Sequence, residues 1–233
     1  MGRKYSHLFF DLDHTLWDFE ANAKSTLNEL YTSLDLAGKG VHDFGLFYKN
    51  YLAHNDKLWE RYRKGYIKQE ELRTKRMTLT LLDFKIADEK LAKDLGTKFL
   101  DLLPTRNLLF PHTIEILQYL LDTGYKLHLI TNGFESTQRS KLKYSGLQPY
   151  FQEIITSECS NCLKPQKEIF EFALNRSGAS LEESIMIGDS IEVDIDGARG
   201  AGMDQVFVNH IDFKEPVEAT YVVNSLHELK SIF

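Results

Sequence analysis

The sequence predicts an α/β fold, a doubly wound parallel sheet into which an all-α block of helices is inserted near the amino terminus. From residue 111 onward, short apolar strands alternate with amphipathic helices, as in a parallel sheet built with right-handed crossovers. The stretch before it has apolar residues only at helical spacing, without strand-like alternation. We therefore expect an α/β domain formed by residues 1–16 and 105–233, and a helical domain formed by residues 17–104.

The first strand is predicted at residues 5–10, where an apolar run ends in Asp11 and Asp13. Strands of a parallel sheet are buried on both faces, and ligands bind beyond their carboxyl ends. Two carboxylates so close together repel each other unless a cation or a shared proton compensates. Alone, this common pattern indicates a solvated acidic turn; it indicates a site only together with the signals described below.

The inserted block is predicted to form a bundle of four helices, because apolar side chains recur there every three or four residues. Asp43 and Asp88 are expected to cap the second and the fourth helix. Both joints with the α/β domain lie at the mouth of the predicted site, so we expect a lid; alternatively, the block only enlarges the core. Aromatic residues expected in the bundle core rather than against substrate are Tyr48, Tyr51, Trp59 and Tyr62.

The remaining elements follow from apolar runs, amphipathic periodicity and glycine breaks. Strands are predicted at residues 125–131, 153–156, 184–188 and 204–208, with a sixth at 220–223. Helices are predicted at residues 113–123, 136–145, 166–177 and 193–200, with a last helix ending at residue 232.

Groups that bind anions follow two of these strands. Thr131, Asn132 and Gly133 come directly after the second strand and offer a hydroxyl, an amide and backbone N–H groups. Lys164 lies between the third strand and the next helix, from where its ammonium group is able to reach the site. Each pattern by itself is typical of an ordinary turn or a surface lysine.

Acidic residues follow the fourth strand. Asp189 falls at its tip, and Asp194 falls in the first turn of the next helix, where acidic residues are also common without any ligand. If the first and fourth strands are neighbours, Asp189 faces Asp11. Hard oxygen ligands in this number favour Mg²⁺.

Together, and in this order, the patterns that begin with Asp11-x-Asp13-x-Thr15 resemble the four motifs of the haloacid dehalogenase superfamily. The resemblance covers the whole chain, and the inserted helices match the cap that follows the first motif. Residues 13–17 and 131–135 are similar to the pyrimidine 5′-nucleotidase-like branch. The resemblance implies a Rossmann-like core with a helical cap.

The same resemblance implies a mechanism. Asp11 attacks the phosphorus of a phosphomonoester and forms an aspartyl-phosphate, while Asp13 protonates the leaving alcohol and then activates water. A neighbouring carboxylate is expected to raise the pKa of Asp13. The implied ligands are Asp11, the Asp13 backbone carbonyl, Asp189 and Asp194 (directly or through water) for Mg²⁺, and Thr131, Asn132, Gly133 and Lys164 for phosphate.

The implied function is hydrolysis of a small phosphorylated metabolite such as a nucleoside 5′-monophosphate. A sugar phosphate phosphatase or a phosphomutase of the same superfamily is the alternative, and a non-catalytic protein that binds a phosphorylated ligand is a more remote one. Asp13 argues against a dehalogenase, because displacement of halide from carbon needs no acid at this position.

Composition limits the partners. With 28 Lys and Arg against 34 Asp and Glu, the net charge is −6, which argues against bulk nucleic acid as a partner. No apolar run is long enough to cross a bilayer, so we expect no membrane association. Met1–Lys4 leads straight into the first strand and leaves no room for a signal peptide, so we expect a cytoplasmic protein. Nothing in the sequence indicates the oligomeric state.

Cys159 and Cys162 form a single C-x-x-C pair with no second pair at metal-site spacing. The motif is followed by Leu-Lys-Pro rather than by the helix that a redox motif opens. We expect two reduced thiols in a loop.

Overall fold

The computed structural model describes residues 4–233, so the prediction about a signal peptide at Met1–Arg3 lies outside the described residues. The chain divides into two compact units. The core unit comprises the chain up to Phe19 together with Asn107–Phe233, and the helical unit is Glu20–Arg106.

The sequence predicted that the first segment of the core unit ends at residue 16, but this segment extends to Phe19. The reason is that Trp17 is bonded to the core unit. Its backbone N–H donates to the carbonyl of Leu12 at 2.9 Å, and its carbonyl accepts from the N–H of His14 at 2.9 Å. Trp17 also forms a β-bridge with Leu109, on the segment that returns from the helical unit.

Six parallel strands form one sheet in the core unit, and their spatial order is β3-β2-β1-β4-β5-β6. The strands are β1 His7–Phe10, β2 Lys126–Thr131, β3 Glu153–Thr156, β4 Ser184–Gly188, β5 Asp204–Val208 and β6 Tyr221–Val223. The predicted fold class, a doubly wound parallel sheet with an inserted all-α unit, is confirmed.

The strand order reverses at β1, which lies between β2 and β4. In the register of the sheet, Phe10 is level with Leu129 and with Ile187. The segments that follow these three strands therefore leave the sheet at the same edge. In open α/β sheets this switch point is where ligands bind.

The central strands are buried on both faces, as their continuous apolar runs predicted: every residue of β1 and β4 is buried. Two buried histidines interrupt this core. His7 Nδ1 and His128 Nε2 lie 2.9 Å apart, and the rings stack with centroids separated by 5.1 Å. Burial, together with the neighbouring His7 and Lys126, lowers the pKa of His128 to about 4.

Nine α-helices are described: α1 Phe19–Ser33, α2 Phe44–Arg63, α3 Gln69–Asp83, α4 Glu89–Leu102, α5 Thr113–Asp122, α6 Glu135–Tyr144, α7 Ser157–Ser160, α8 Lys167–Ser177 and α9 Asp196–Gly200. In the helical unit, α3 packs against both α2 and α4. The predicted caps are confirmed, because the side chains of Asp43 and Asp88 accept from the backbone N–H groups of Leu46 and Leu91. Of the four aromatic residues expected in the bundle core, Tyr51 is fully buried; Tyr48, Trp59 and Tyr62 are half-buried.

The prediction of one helix at residues 193–200 is wrong. A π-helical turn, Ile191–Ile195, begins earlier, because the Ser190 hydroxyl accepts from the N–H of Val193 and caps it; α9 follows. The last predicted helix is a 3₁₀ helix, Leu226–Ser231.

The sequence predicted that Cys159 lies in a loop, but it lies in α7. The Thr156 hydroxyl caps this helix by accepting from the backbone N–H of Cys159. Both Cys159 and Cys162 are free thiols. Across the described residues, the structure contains no helix with the length and apolar character needed to span a membrane.

Candidate active site

Lys164 lies at the centre of the polar cluster beyond the strand ends, and its side chain is only 1% exposed. Its Nζ donates to Asp11 Oδ1 at 2.6 Å, to Asp194 Oδ1 at 2.7 Å and to the carbonyl of Ile130 at 2.8 Å. Burial opposes the charged form, but the carboxylates of Asp11 and Asp194 outweigh it and raise the pKa of Lys164. A fixed positive charge therefore stands beside the two carboxylates.

Asn132 holds Lys164 in this position. Its Oδ1 accepts from the backbone N–H of Lys164 at 2.7 Å, and its Nδ2 donates to the backbone carbonyl of Lys164 at 2.9 Å. The side chain of Asn132 thus connects the segment after β2 to the segment before α8. The sequence predicted phosphate binding by Asn132 but not this contact.

Three carboxylates converge beside this lysine. Oxygens of Asp11, Asp189 and Asp194 lie within 4.8 Å of one another, and Asp189 Oδ1 also accepts from the Thr15 hydroxyl at 2.7 Å. Gly188 provides the space, because a Cβ at this position would lie 2.4 Å from Asp194 Oδ2. The structure therefore brings together residues that follow β1 and β4 and are far apart in sequence.

This cluster fits a divalent cation. Burial raises the pKa of Asp11 to about 8, with Lys164 opposing the shift and the neighbouring carboxylates adding to it. Burial and Asp194 likewise raise the pKa of Asp189 to about 7. Three ionised carboxylates and one ammonium group leave two negative charges, which a divalent cation balances, and hard oxygen donors suit Mg²⁺.

Asp13 does not join this cluster through its carboxylate. Its Oδ1 lies 2.5 Å from Lys141 Nζ, and its Oδ2 accepts from Gln138 Nε2 at 2.9 Å. Burial raises its pKa, but Lys141 and Gln138 outweigh burial, and the pKa of Asp13 is lowered. The expectation of a raised pKa is therefore wrong, because the nearest charged partner is an ammonium group rather than a carboxylate.

Sequence reasoning missed Gln138 and Lys141. Both residues lie on α6, whose buried side chains are Gln138, Lys141 and Leu142. Two of these three buried side chains are polar. Long polar side chains on the buried face of a helix need a partner.

Thr131 and Gly133 lie where β2 ends, next to the Lys164 cluster. The Thr131 hydroxyl accepts from the Gly133 N–H at 3.1 Å, and Thr131 is buried. A Cβ at position 133 would lie 1.7 Å from Gln138 Nε2, so a larger residue there requires the Gln138 side chain to move. Their predicted role in phosphate binding stays a prediction.

A second metal-capable group among the described residues consists of His112, Glu115 and His227, all exposed. Glu115 is the one carboxylate of this group, and Lys230 at 2.5 Å already neutralises it, so no negative charge remains to balance a cation, whereas two remain in the aspartate cluster. The buried aspartate cluster is therefore the better candidate for a metal.

Comparisons with known proteins identify the family and several relatives. The family model of haloacid dehalogenase-like hydrolases matches residues 5–202. Pyrimidine 5′-nucleotidase PynA of Streptococcus pneumoniae is 32% identical over 97% of this chain and 93% of its own length. Pyrimidine 5′-nucleotidase YjjG of Escherichia coli is 29% identical over 98% of both chains. The HAD hydrolase YfnB of Bacillus subtilis, whose crystal structure is bound to magnesium, superimposes with a TM-score of 0.86 at 28% identity, over 99% of both chains.

Proposed function

The chain belongs to the haloacid dehalogenase-like hydrolase family, and from this premise we propose that it is a magnesium-dependent phosphomonoester hydrolase acting through an aspartyl-phosphate. One observation carries the proposal. Lys164 contacts the buried Asp11 and Asp194 beside Asp189, so the proposed nucleophile, a fixed cation and the proposed metal ligands lie next to one another.

In the first step, a carboxylate oxygen of Asp11 attacks phosphorus, and the bond between phosphorus and the ester oxygen breaks. Lys141 and Gln138 favour the ionised form of Asp13 in the free protein, so Asp13 takes up a proton from solvent when the negatively charged phosphate of the substrate binds beside it, and gives this proton to the leaving oxygen. Lys164 and the donors at Thr131 and Gly133 stabilise the negative charge on the transferring phosphoryl group.

In the second step, water attacks the phosphorus of the aspartyl-phosphate and releases Asp11. Asp13 accepts the proton of this water in its ionised form, which the contact with Lys141 favours. When bound, Mg²⁺ would be held by Asp11, Asp189, the Asp13 carbonyl and Asp194 (directly or through water), and would neutralise phosphoryl charge.

The proposed substrate is a small phosphorylated metabolite, specifically a nucleoside 5′-monophosphate. PynA and YjjG support this choice, because both are named pyrimidine 5′-nucleotidases and both align with nearly the whole chain. We assign substrate selection to the helical unit, residues 20–106, as a cap domain, because it is inserted directly after the segment that carries Asp11 and Asp13.

The test is phosphate release from p-nitrophenyl phosphate and from a panel of nucleoside 5′-monophosphates and sugar phosphates, with Mg²⁺ or with EDTA. We expect hydrolysis that needs Mg²⁺, is lost in Asp11→Asn and is fastest with a pyrimidine nucleotide. Asp196→Asn is the matched control, since Asp196 is exposed and pairs with Arg199. Full activity in EDTA or in Asp11→Asn would contradict the proposal.

A further inference from the structure

Both oxygens of the Asp13 carboxylate are bound by side chains from α6. Lys141 Nζ lies 2.5 Å from Oδ1, and Gln138 Nε2 lies 2.9 Å from Oδ2. The two residues are three positions apart, so they project from the same face of the helix. The carboxylate is held from one side, and the side chain of Asp13 remains 24% exposed.

Lys141 is buried beside two aromatic rings, and Asp13 is its ionised partner. Its side chain is 3% exposed, and Nζ lies 4.3 Å from the ring centroid of Trp17 and 5.6 Å from that of Phe19. Aromatic rings attract a cation but do not replace an ionised acceptor. Asp13 supplies that acceptor.

Stability alone does not explain why polar side chains occupy this buried position. Among the described residues, Gln138 Oε1 has no hydrogen-bond partner, which is costly for a buried carbonyl group. A buried ion pair such as that of Lys141 and Asp13 is often no more stable than apolar side chains of similar volume. The Gln138 amide also lies so close to Gly133 that a Cβ at position 133 would displace it.

We propose that Gln138 and Lys141 are positioning residues that fix the Asp13 carboxylate for proton transfer to the leaving group. This inference rests on the proposed phosphatase function. Each carboxylate oxygen has two lone-pair directions, and the two contacts use one on each oxygen. Asp13 thus retains a free direction for the proton that it gives to the leaving oxygen.

If the two residues position Asp13, the loss of kcat/KM in their variants depends on how much the leaving group needs a proton. General damage to the fold would lower kcat/KM equally for all leaving groups. p-Nitrophenolate leaves readily without a proton, whereas phenolate, whose phenol has a pKa of about 10 like that of tyrosine, depends on the acid. For Lys141→Met, we expect kcat/KM to fall about 30-fold with phenyl phosphate and no more than about threefold with p-nitrophenyl phosphate. The two esters differ little in shape, so binding to the variant changes similarly for both.

The experiment measures kcat/KM for both esters in the wild type, Lys141→Met, Gln138→Met and a control, Lys143→Met. Lys143 is exposed on the same helix, so its substitution should leave both values near those of the wild type. Circular dichroism verifies folding, and Gln138→Met provides the same comparison if Lys141→Met does not fold.

A larger loss with phenyl phosphate in either buried variant supports the positioning role. Equal losses with the two esters, or wild-type values in both folded variants, overturn it while leaving the proposed function intact. A wild-type protein that hydrolyses neither ester overturns the proposed function, and the positioning role with it.

Discussion

His128 makes the core unit sensitive to acid, and the size of the effect follows from its burial. The pKa of His128 is lowered from 6.5 to about 4 in the folded chain, whereas it is near 6.5 in the unfolded chain. Between these values the unfolded chain binds more protons, so the free energy of unfolding falls as the pH decreases. At about 1.36 kcal/mol per unit, this histidine costs about 2 kcal/mol between pH 7 and pH 5, and about 3 kcal/mol at pH 4.

Urea denaturation at pH 7 and pH 5 measures this loss in the wild type and in His128→Leu, which cannot take up the proton. We expect the variant to lose about 2 kcal/mol less than the wild type over this interval. His42→Leu, the same substitution at an exposed position, is the control. If His128→Leu and the wild type lose the same stability on acidification, the buried neutral histidine does not explain the pH dependence.

The structure makes two further predictions about stability, both measurable by urea denaturation. Asp88→Ala removes the cap of α4 and should lower the free energy of unfolding by about 1 kcal/mol. The control Asp94→Ala, at an exposed position inside the same helix, should change it by less than about 0.5 kcal/mol. Equal effects of the two substitutions would refute the capping role. Gly188→Ala places a Cβ 2.4 Å from Asp194 Oδ2 and should lower the free energy of unfolding by about 1–3 kcal/mol. The control Gly200→Ala, with no atom within 4 Å of the new Cβ, should lower it by less than about 0.5 kcal/mol. Similar stabilities of the two variants would show that the space at position 188 is not needed.

The sequence predicted the parts of the fold that depend on local patterns. The continuous apolar runs of β1 and β4 identified buried parallel strands, because a strand covered on both faces leaves no polar alternation. Asp43 and Asp88 identified two helix starts, because a carboxylate before an apolar repeat satisfies free N–H groups. Each of these patterns lies within a few consecutive residues, so it can be recognised without knowing which distant segments are in contact.

The parts that the sequence did not predict depend on contacts between distant segments. The partner of Asp13 is Lys141, which is 128 positions away and follows no motif; its role depends on which face of α6 is buried. The π-helical turn at Ile191–Ile195 likewise reflects local capping by Ser190 together with the contacts of Asp194, which reaches back to Lys164. Long-range pairings of this kind set the pKa of a group, and so the expected raised pKa of Asp13 was wrong.

Covalent capture of the phosphoryl group by Asp11 is the most direct test of the proposed chemistry. The enzyme is mixed with p-nitrophenyl phosphate and Mg²⁺, quenched in acid within milliseconds, digested and examined by mass spectrometry. We predict one phosphoryl group on the peptide that carries Asp11, and none in the Asp11→Asn variant. Steady turnover of the ester by the wild type, with no phosphoryl group on that peptide at any quench time, would contradict the account.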